Sequence, residues 1–593
     1  MLGSSVIIGI YFGCFGQKQN SANQYLLGGK QMKVVPVAIS LIASHVSGVT
    51  VLSIPADIYK YGSNYAMIFF GIPITCLIAA VITMPVFHKL QITSTYEYLQ
   101  LRFDTKTRLI ASFLYNIAMI LYLPIVIYGP ALALSQVTPM NLHLINFITC
   151  ATCIFYTTIG GLKTVVWTDT LQFGAMLGAI LAILYLGVSA VGGLGTVFER
   201  SFLGGRLNID FDVDPTKRDT FWAVTIGWTI NWIPHFAINQ GAVQKCLALP
   251  TVRDVKRTIL VFCIGTVFCK GASILTGLII YANYYDCDPF TLKRVHKNDQ
   301  LLPFYIMDVA SKIPGLPGLF IAGVFCAGLS TLSAQMNSLS GTVYQDFVAR
   351  FVPKNITQLQ VSYILKAIVI IIGVVSTTLV LVVQHLGGIL PLTIAFSGVT
   401  SGPLLGLFTL GMIFPWANSK GAFIGSICSL IFVAFMMVGS RLYQTSGVLK
   451  YTPLPTSVEG CAANLTNYAN SIPITDGVED IFLLFRISHY YYSLIGTLVV
   501  LIIALPISWL TGNQTHVDEE LITPWMRWAI PNKDNKYPPT YREVAMDELE
   551  NLNIAPVVIV VVLGKRIFSR KKVVIILTTS SVSYRALVPT TYA

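Results

Sequence analysis

Ser330, Thr331 and Ser333 fall within about one helical turn of one another, inside an apolar run at residues 319–335 (LFIAGVFCAGLSTLSAQ). A hydroxyl in hydrocarbon needs a partner. Ser330 and Thr331 can each satisfy themselves by bonding a carbonyl four residues back in their own helix. The sharper alternative is a cation site. Na+ is a small, hard cation that prefers oxygen ligands. Adjacent hydroxyls, with carbonyls freed where a neighbouring helix breaks, can replace its water shell.

Two interrupted apolar stretches could free such carbonyls. Residues 34–58 carry SHVSGVT, with Ser47 and Gly48 in the middle of the stretch. Residues 221–238 carry Asn231, Trp232 and Pro234, and the proline removes a backbone donor. Each stretch opens a run of five helices, so the pair of breaks predicts an inverted repeat with a central binding site. A Gly or Pro kept only for packing is the plainer reading of either break alone.

Asp169 lies in GGLKTVVWTDTLQ at the start of a helix. It reads either as an N-terminal acid paired with Lys163 or, with Gln172 one turn further in, as a cation exit path. Lys270 lies mid-span in CKGAS. An ionisable group there is functional by default, unless it only faces a carbonyl or water. His45 and His235 sit at the two breaks, where each either titrates or makes a single hydrogen bond. The sequence holds no phosphate loop, HExxH, GxSxG or paired-cysteine motif, which argues against an enzyme or a nucleotide-driven pump.

These residues need a membrane to position them. The chain has 593 residues, of which 54% are hydrophobic and 11% charged. A soluble protein carries about 25% charged residues. The apolar runs reach the roughly 20 residues that cross a bilayer. They lack the short alternating pattern of outer-membrane barrels, so the expected fold class is an all-α polytopic membrane protein with about thirteen spans. The net charge of +12 fits basic cytoplasmic loops and a basic tail better than nucleic-acid binding. Cysteines such as Cys150, Cys153, Cys263 and Cys269 lie in apolar runs and read as small packing residues.

In chain order, residues 1–33 read as a clipped first helix and a cytoplasmic loop. Residues 34–191 read as a first five-helix repeat, 192–220 as an extracellular loop and 221–414 as a second repeat. Residues 415–511 then give two further helices, and 512–593 a largely disordered or surface-lying cytoplasmic tail. The loop charges favour an external N-terminus and a cytoplasmic C-terminus. Cys287 and Cys461 then share the external side, where a disulfide and two free thiols are both open. Asn464 opens an external glycosylation sequon. The apolar pieces at 555–564 and 573–577 are too short to span.

At this point the residues resemble a known family. YLLGGKQM, ASHVSGVTVLSIPADIYKYG, VIYGPALALSQVT, IGGLKTVVWTDTLQ, NQGAVQKCL, CAGLSTLSAQMNSLSGTVYQDF and SGPLLGLFTLGM together resemble the sodium/solute symporters. The branch they resemble holds the sodium-coupled monocarboxylate, multivitamin and iodide transporters. The likeness runs in order over residues 24–510. It implies the leucine-transporter fold, two inverted five-helix repeats, with Na+ as the coupling ion.

Carried over residue by residue, the resemblance implies a sodium site of the Ala43, Val46 and Ala327 carbonyls with the Ser330 and Thr331 hydroxyls. It places a second sodium, where one is used, near Ser47 and Tyr128. It implies a substrate cavity of Thr50, Tyr128, Trp232, Leu404 and Phe408, and a sodium exit at Asp169 and Gln172. Two departures bear on the substrate: His45 stands where the branch has an aromatic residue, and WIPH replaces a smaller sequence after Trp232.

The expectation is therefore a multi-pass plasma-membrane symporter that imports a small organic anion with Na+ by alternating access. Thr50 beside a half-helix N-terminus suits a carboxylate. A mostly apolar wall argues against hexoses, whose hydroxyls must each be satisfied. Lactate, pyruvate, a short fatty acid or nicotinate comes first, with biotin, pantothenate or iodide as alternatives. A non-concentrative sensor or channel-like protein is the reading from another class.

Overall fold

Eight of the described helices are long and apolar enough to cross a bilayer, or nine when one bent pair counts as a single span. The computed structural model describes residues 2–15, 21–310, 313–353, 355–383, 389–461, 481–512 and 517–530, with 558–561 and 575–578. The helices that position the site are α1 (Leu2–Ile10), α2 (Val34–His45), α3 (Gly48–Tyr61), α4 (Thr105–Val137) and α5 (Leu142–Val191). They continue with α6 (Thr229–Ile233), α7 (Gln240–Leu247), α8 (Val252–Asn283) and α9 (Leu316–Asp346). After these come α10 (Gln358–Val383), α11 (Ile389–Ile413), α12 (Ser419–Thr445) and α13 (Tyr492–Leu510).

The first break lies where SHVSGVT placed it. Helix α2 ends at His45, Ser47 is extended (φ −84, ψ 176), and α3 restarts at Gly48, bent by 51° from α2. The small residues around it let other helices close in. A Cβ on Gly48 would lie 3.2 Å from Pro130 of α4, and one on Gly328 of α9 would lie 2.7 Å from the same ring. Gly277 of α8 meets α3 so closely that a Cβ would stand 2.7 Å from the Pro55 carbonyl oxygen. Helix α5 is interrupted once, at Gly161 (φ 55, ψ −155).

The second break is not where the sequence placed it. Pro234 does not split the helix. It stands at the switch from the α-helical Thr229–Ile233 to a π-helical turn, Pro234–Ile238, and the helix continues through it although the proline has no N–H to donate. The chain leaves helical geometry at Asn239 (φ −54, ψ 127). The Asn239 side chain then accepts from the Gly241 and Ala242 amides, at 2.8 and 3.3 Å, and starts α7.

Cys287 and Cys461 are joined in a disulfide, their Cα atoms 5.1 Å apart. Beside them Arg206 donates to the carbonyls of Tyr59 and Pro455 at 3.2 and 2.6 Å. Arg218 pairs with Asp57 and Asp219 at 2.5 and 2.6 Å. Burial pushes the Asp219 carboxyl up to about 6, although Arg218 pulls it the other way. Asn464 lies outside the described residues.

Residues 517–530 do not lie free of the helices. The Thr523 amide donates to the Met412 carbonyl at 3.1 Å, and the Tyr98 hydroxyl to the Leu521 carbonyl at 3.0 Å. Residues 531–593 form a separate unit. Within it β1 (Val558–Val561) and β2 (Ile575–Thr578) pair antiparallel, Val558 opposite Thr578. The two apolar pieces near the C-terminus supply these strands.

Candidate functional site

The hydroxyls of α9 reach the first break. Ser330 Oγ donates to the Ala43 carbonyl at 2.9 Å and to that of Ala327 at 3.2 Å. Thr331 Oγ1 lies 3.1 Å from the Ser44 carbonyl and 3.1 Å from that of Ala327. Both readings of these hydroxyls therefore apply at once: each bonds its own helix and also the frayed end of α2. Val46 caps α2 and is fully buried. The Ser44 carbonyl joins the group without having been foreseen. Its signal was available, since α2 must leave its last carbonyls without helical partners.

A cavity of about 160 Å³ opens beside this cluster. Thr331, Ser47, Thr50 and Trp232 line it, as do His45 and Lys270. Tyr128, Leu404 and Phe408 are not among its lining residues. Tyr128 instead accepts from Lys297 Nζ at 3.1 Å. Phe408 stacks on Tyr98, centroids 5.6 Å apart, and Leu404 is buried. From α11 the cavity takes Thr393, Ser397 and Thr400. Leu404 and Phe408 continue the same face of α11, but one and two turns beyond it, about 6 and 12 Å along the axis. It was the family resemblance that implied Leu404 and Phe408 for the cavity.

The second interrupted stretch contributes a stripe. Trp228, Asn231, Trp232 and His235 all face the cavity. His235 Nε2 lies 2.5 Å from Ser397 Oγ, which donates to Asn231 Oδ1 at 3.1 Å. His45 is packed as an aromatic. Its ring meets Trp232, Phe236 and Phe262 edge-on at 6.0, 5.7 and 5.0 Å. Its nitrogens lie 2.8 Å from the Leu41 carbonyl and 3.3 Å from that of His235. The histidine thus links the two interrupted stretches while filling an aromatic position.

Asp169 forms its ion pair with Lys245 of α7, at 3.0 Å, rather than with Lys163. Lys245 reads in the sequence as a loop residue, yet it is 2% exposed. The same carboxylate oxygen accepts from Ser40 at 2.6 Å and Ser44 at 3.3 Å, while Asp169 Oδ1 is buried without a partner. Ser44 therefore spans the two polar clusters. Its carbonyl accepts from Thr331 and its hydroxyl accepts from Lys245 Nζ at 2.6 Å. Gln172 donates to Ser5 of α1 at 3.0 Å, and its other polar atom, Oε1, is buried without a partner.

Comparison with known proteins agrees with this geometry. Residues 25–429 match the model of the sodium:solute symporter family. Sodium-coupled monocarboxylate transporter 2 of Mus musculus is 38% identical over 522 residues, covering 87% of this chain and 84% of that one. Sodium-coupled monocarboxylate transporter 1 of Xenopus laevis is 37% identical over 539 residues, 88% of this chain and 86% of that one. The human sodium/iodide cotransporter is 34% identical over 533 residues, 86% and 82%. Among solved structures, an outward-open Na+-coupled sialic acid symporter superposes with a TM-score of 0.69 at 24% identity, over 86% of this chain and 96% of that one. That likeness places the fold among leucine-transporter-type symporters.

Proposed function

This chain belongs to the sodium:solute symporter family, and we propose that the solute carried through its central cavity is a short monocarboxylate. The protein is a multi-pass membrane symporter, not an enzyme, and Na+ is the ion it couples to its solute by alternating access. Each inward Na+ gains about 2.3 kcal/mol per 100 mV of membrane potential, besides its concentration term. That free energy moves a solute uphill only if ion and solute favour the same state of the carrier.

The observation that carries the substrate reading is the size and polarity of the cavity. Its volume is about 160 Å³, and a dry cavity of about 150 Å³ accepts a benzene-sized ligand. Lactate, pyruvate, a short fatty acid and nicotinate belong to that size class. Biotin and pantothenate exceed it. Among the described residues none that lines the cavity is acidic, so an anion meets no like charge from them. The first turn of α3 faces the cavity through Val49 and Thr50 and offers partial positive charge, while the Thr50 hydroxyl can donate one hydrogen bond to a carboxylate. The sequence likeness to monocarboxylate transporters points the same way.

Na+ in this reading takes the Ala43, Val46 and Ala327 carbonyls and the Ser330 and Thr331 hydroxyls, with Ser44 as a further carbonyl. On binding, the hydroxyls turn their lone pairs from donating geometry toward the ion. Asp169 and Gln172 then line the sodium exit, and the working location is the plasma membrane. Ser47 lies at the cavity and Tyr128 outside it, so a second sodium shared by those two residues has no support in the geometry.

The test is an uptake panel in sodium and in choline medium. Radiolabelled lactate or nicotinate should enter only with sodium, other monocarboxylates should compete, and glucose should not. Saturable sodium-driven iodide or glucose uptake that no carboxylate inhibits would overturn the substrate reading.

A further inference from the structure

When protonated, Lys270 carries a charge that no described residue lining the central cavity balances. It is 5% exposed, it lines the cavity, and none of the described lining residues is acidic. Among the described residues no carboxylate pairs with it. Its Nζ lies instead over two indole rings, 4.8 Å from the Trp228 centroid and 4.9 Å from that of Trp232. Cation–π contacts recover part of the cost of desolvating an ammonium, but they do not neutralise it. A ligand anion would.

A second donor stands beside it. Asn231 occupies the same cavity-facing stripe as the two tryptophans, three residues after one and adjacent to the other. It is 6% exposed. Its Oδ1 accepts from Ser397, whereas Nδ2 is buried without a partner. Asn231 and Lys270 both line the cavity, and the two indoles over which the ammonium lies, Trp228 and Trp232, come from the same stretch as Asn231. A buried N–H left unpaired penalises any ligand that cannot accept from it.

We propose that Lys270 and Asn231 form a two-point recognition site. Lys270 takes the substrate carboxylate, and the Asn231 amide donates to an oxygen on the adjacent carbon. The preferred substrate is then a 2-hydroxy or 2-oxo monocarboxylate rather than an unsubstituted fatty acid. This selectivity rests on the monocarboxylate reading above and narrows it. The N-terminal turn of α3 adds to the positive field of Lys270, and the apolar wall limits the rest of the molecule to a short chain.

Lactate and propionate test it, because they share a carbon skeleton and differ by one hydroxyl. In sodium medium the parent should half-saturate with lactate at a concentration at least about tenfold below that for propionate. Asn231→Ala should bring the two within about twofold by weakening lactate alone. Lys270→Met should weaken both acids alike and preserve their ratio, and Lys270→Arg should restore part of the loss. Equal affinity of the parent for both acids would overturn the proposal, as would an unchanged ratio in Asn231→Ala or unchanged half-saturation in Lys270→Met. If Asn231→Ala does not reach the surface, the parent's own ratio decides. If neither acid enters with sodium, the monocarboxylate reading has failed and this selectivity falls with it.

Discussion

Replacing Thr331 by alanine removes one oxygen from the cluster between α2 and α9. That oxygen lies 3.1 Å from the carbonyls of both Ser44 and Ala327. Thr331 is 1% exposed and lines the cavity. An ion left one ligand short, or a buried carbonyl left unpaired, costs about 1–3 kcal/mol. At about 1.4 kcal/mol per decade, this is a rise of about five- to a hundredfold in the sodium concentration that half-activates uptake. Ser330→Ala should act on the same scale, because Ser330 bridges the Ala43 and Ala327 carbonyls in the same way. Thr331→Ser retains the hydroxyl and should stay close to the parent. This comparison separates loss of an oxygen from loss of a methyl group in the packing. The assay is a sodium-activation curve for radiolabelled monocarboxylate uptake, normalised to protein at the cell surface. If both alanine variants keep the parent's half-activating sodium concentration, these hydroxyls do not ligate the coupling ion. If Thr331→Ser is as impaired as Thr331→Ala, the effect belongs to packing.

The Asp169–Lys245 pair makes a stability prediction. Lys245→Met leaves a fully buried carboxylate with only Ser40 and Ser44, and breaking a buried pair from one side costs about 3–5 kcal/mol. The purified protein should melt well below the parent, and adding Asp169→Asn should recover most of the difference; a single variant that melts with the parent would refute the coupling. Gly277→Val places side-chain atoms where a Cβ alone already stands 2.7 Å from the Pro55 carbonyl oxygen, so thermal melting should show a loss of about 1–3 kcal/mol or more. Gly174→Ala, where a Cβ would meet nothing within 4 Å, is the control and should be neutral or slightly stabilising.

Much of this protein was legible in its residues alone. Low charge and long apolar runs dictate spanning helices, because a backbone in lipid must satisfy its own hydrogen bonds. SHVSGVT marked the first break because Gly48 has no Cβ to hold Pro130 away. Paired hydroxyls in an apolar helix marked the cluster at Ser330 and Thr331, since each needs an oxygen partner and α2 ends with carbonyls to spare.

Other features waited on the tertiary structure. The sequence put the second break at Pro234, but the helix runs through the proline by switching to a π-helical turn, and the chain breaks at Asn239. Lys245 resembled a loop cation until its burial against Asp169 was visible. Periodicity reports which way a side chain points and not how deep it lies. The resemblance implied Leu404, Phe408 and Tyr128 for the substrate cavity, yet the first two lie past its end along α11 and Tyr128 accepts from Lys297. The position of Lys270 over two tryptophans of another segment was invisible for the same reason. The distance between α8 and the stripe around α6 is set by how whole helices pack, which no local pattern encodes.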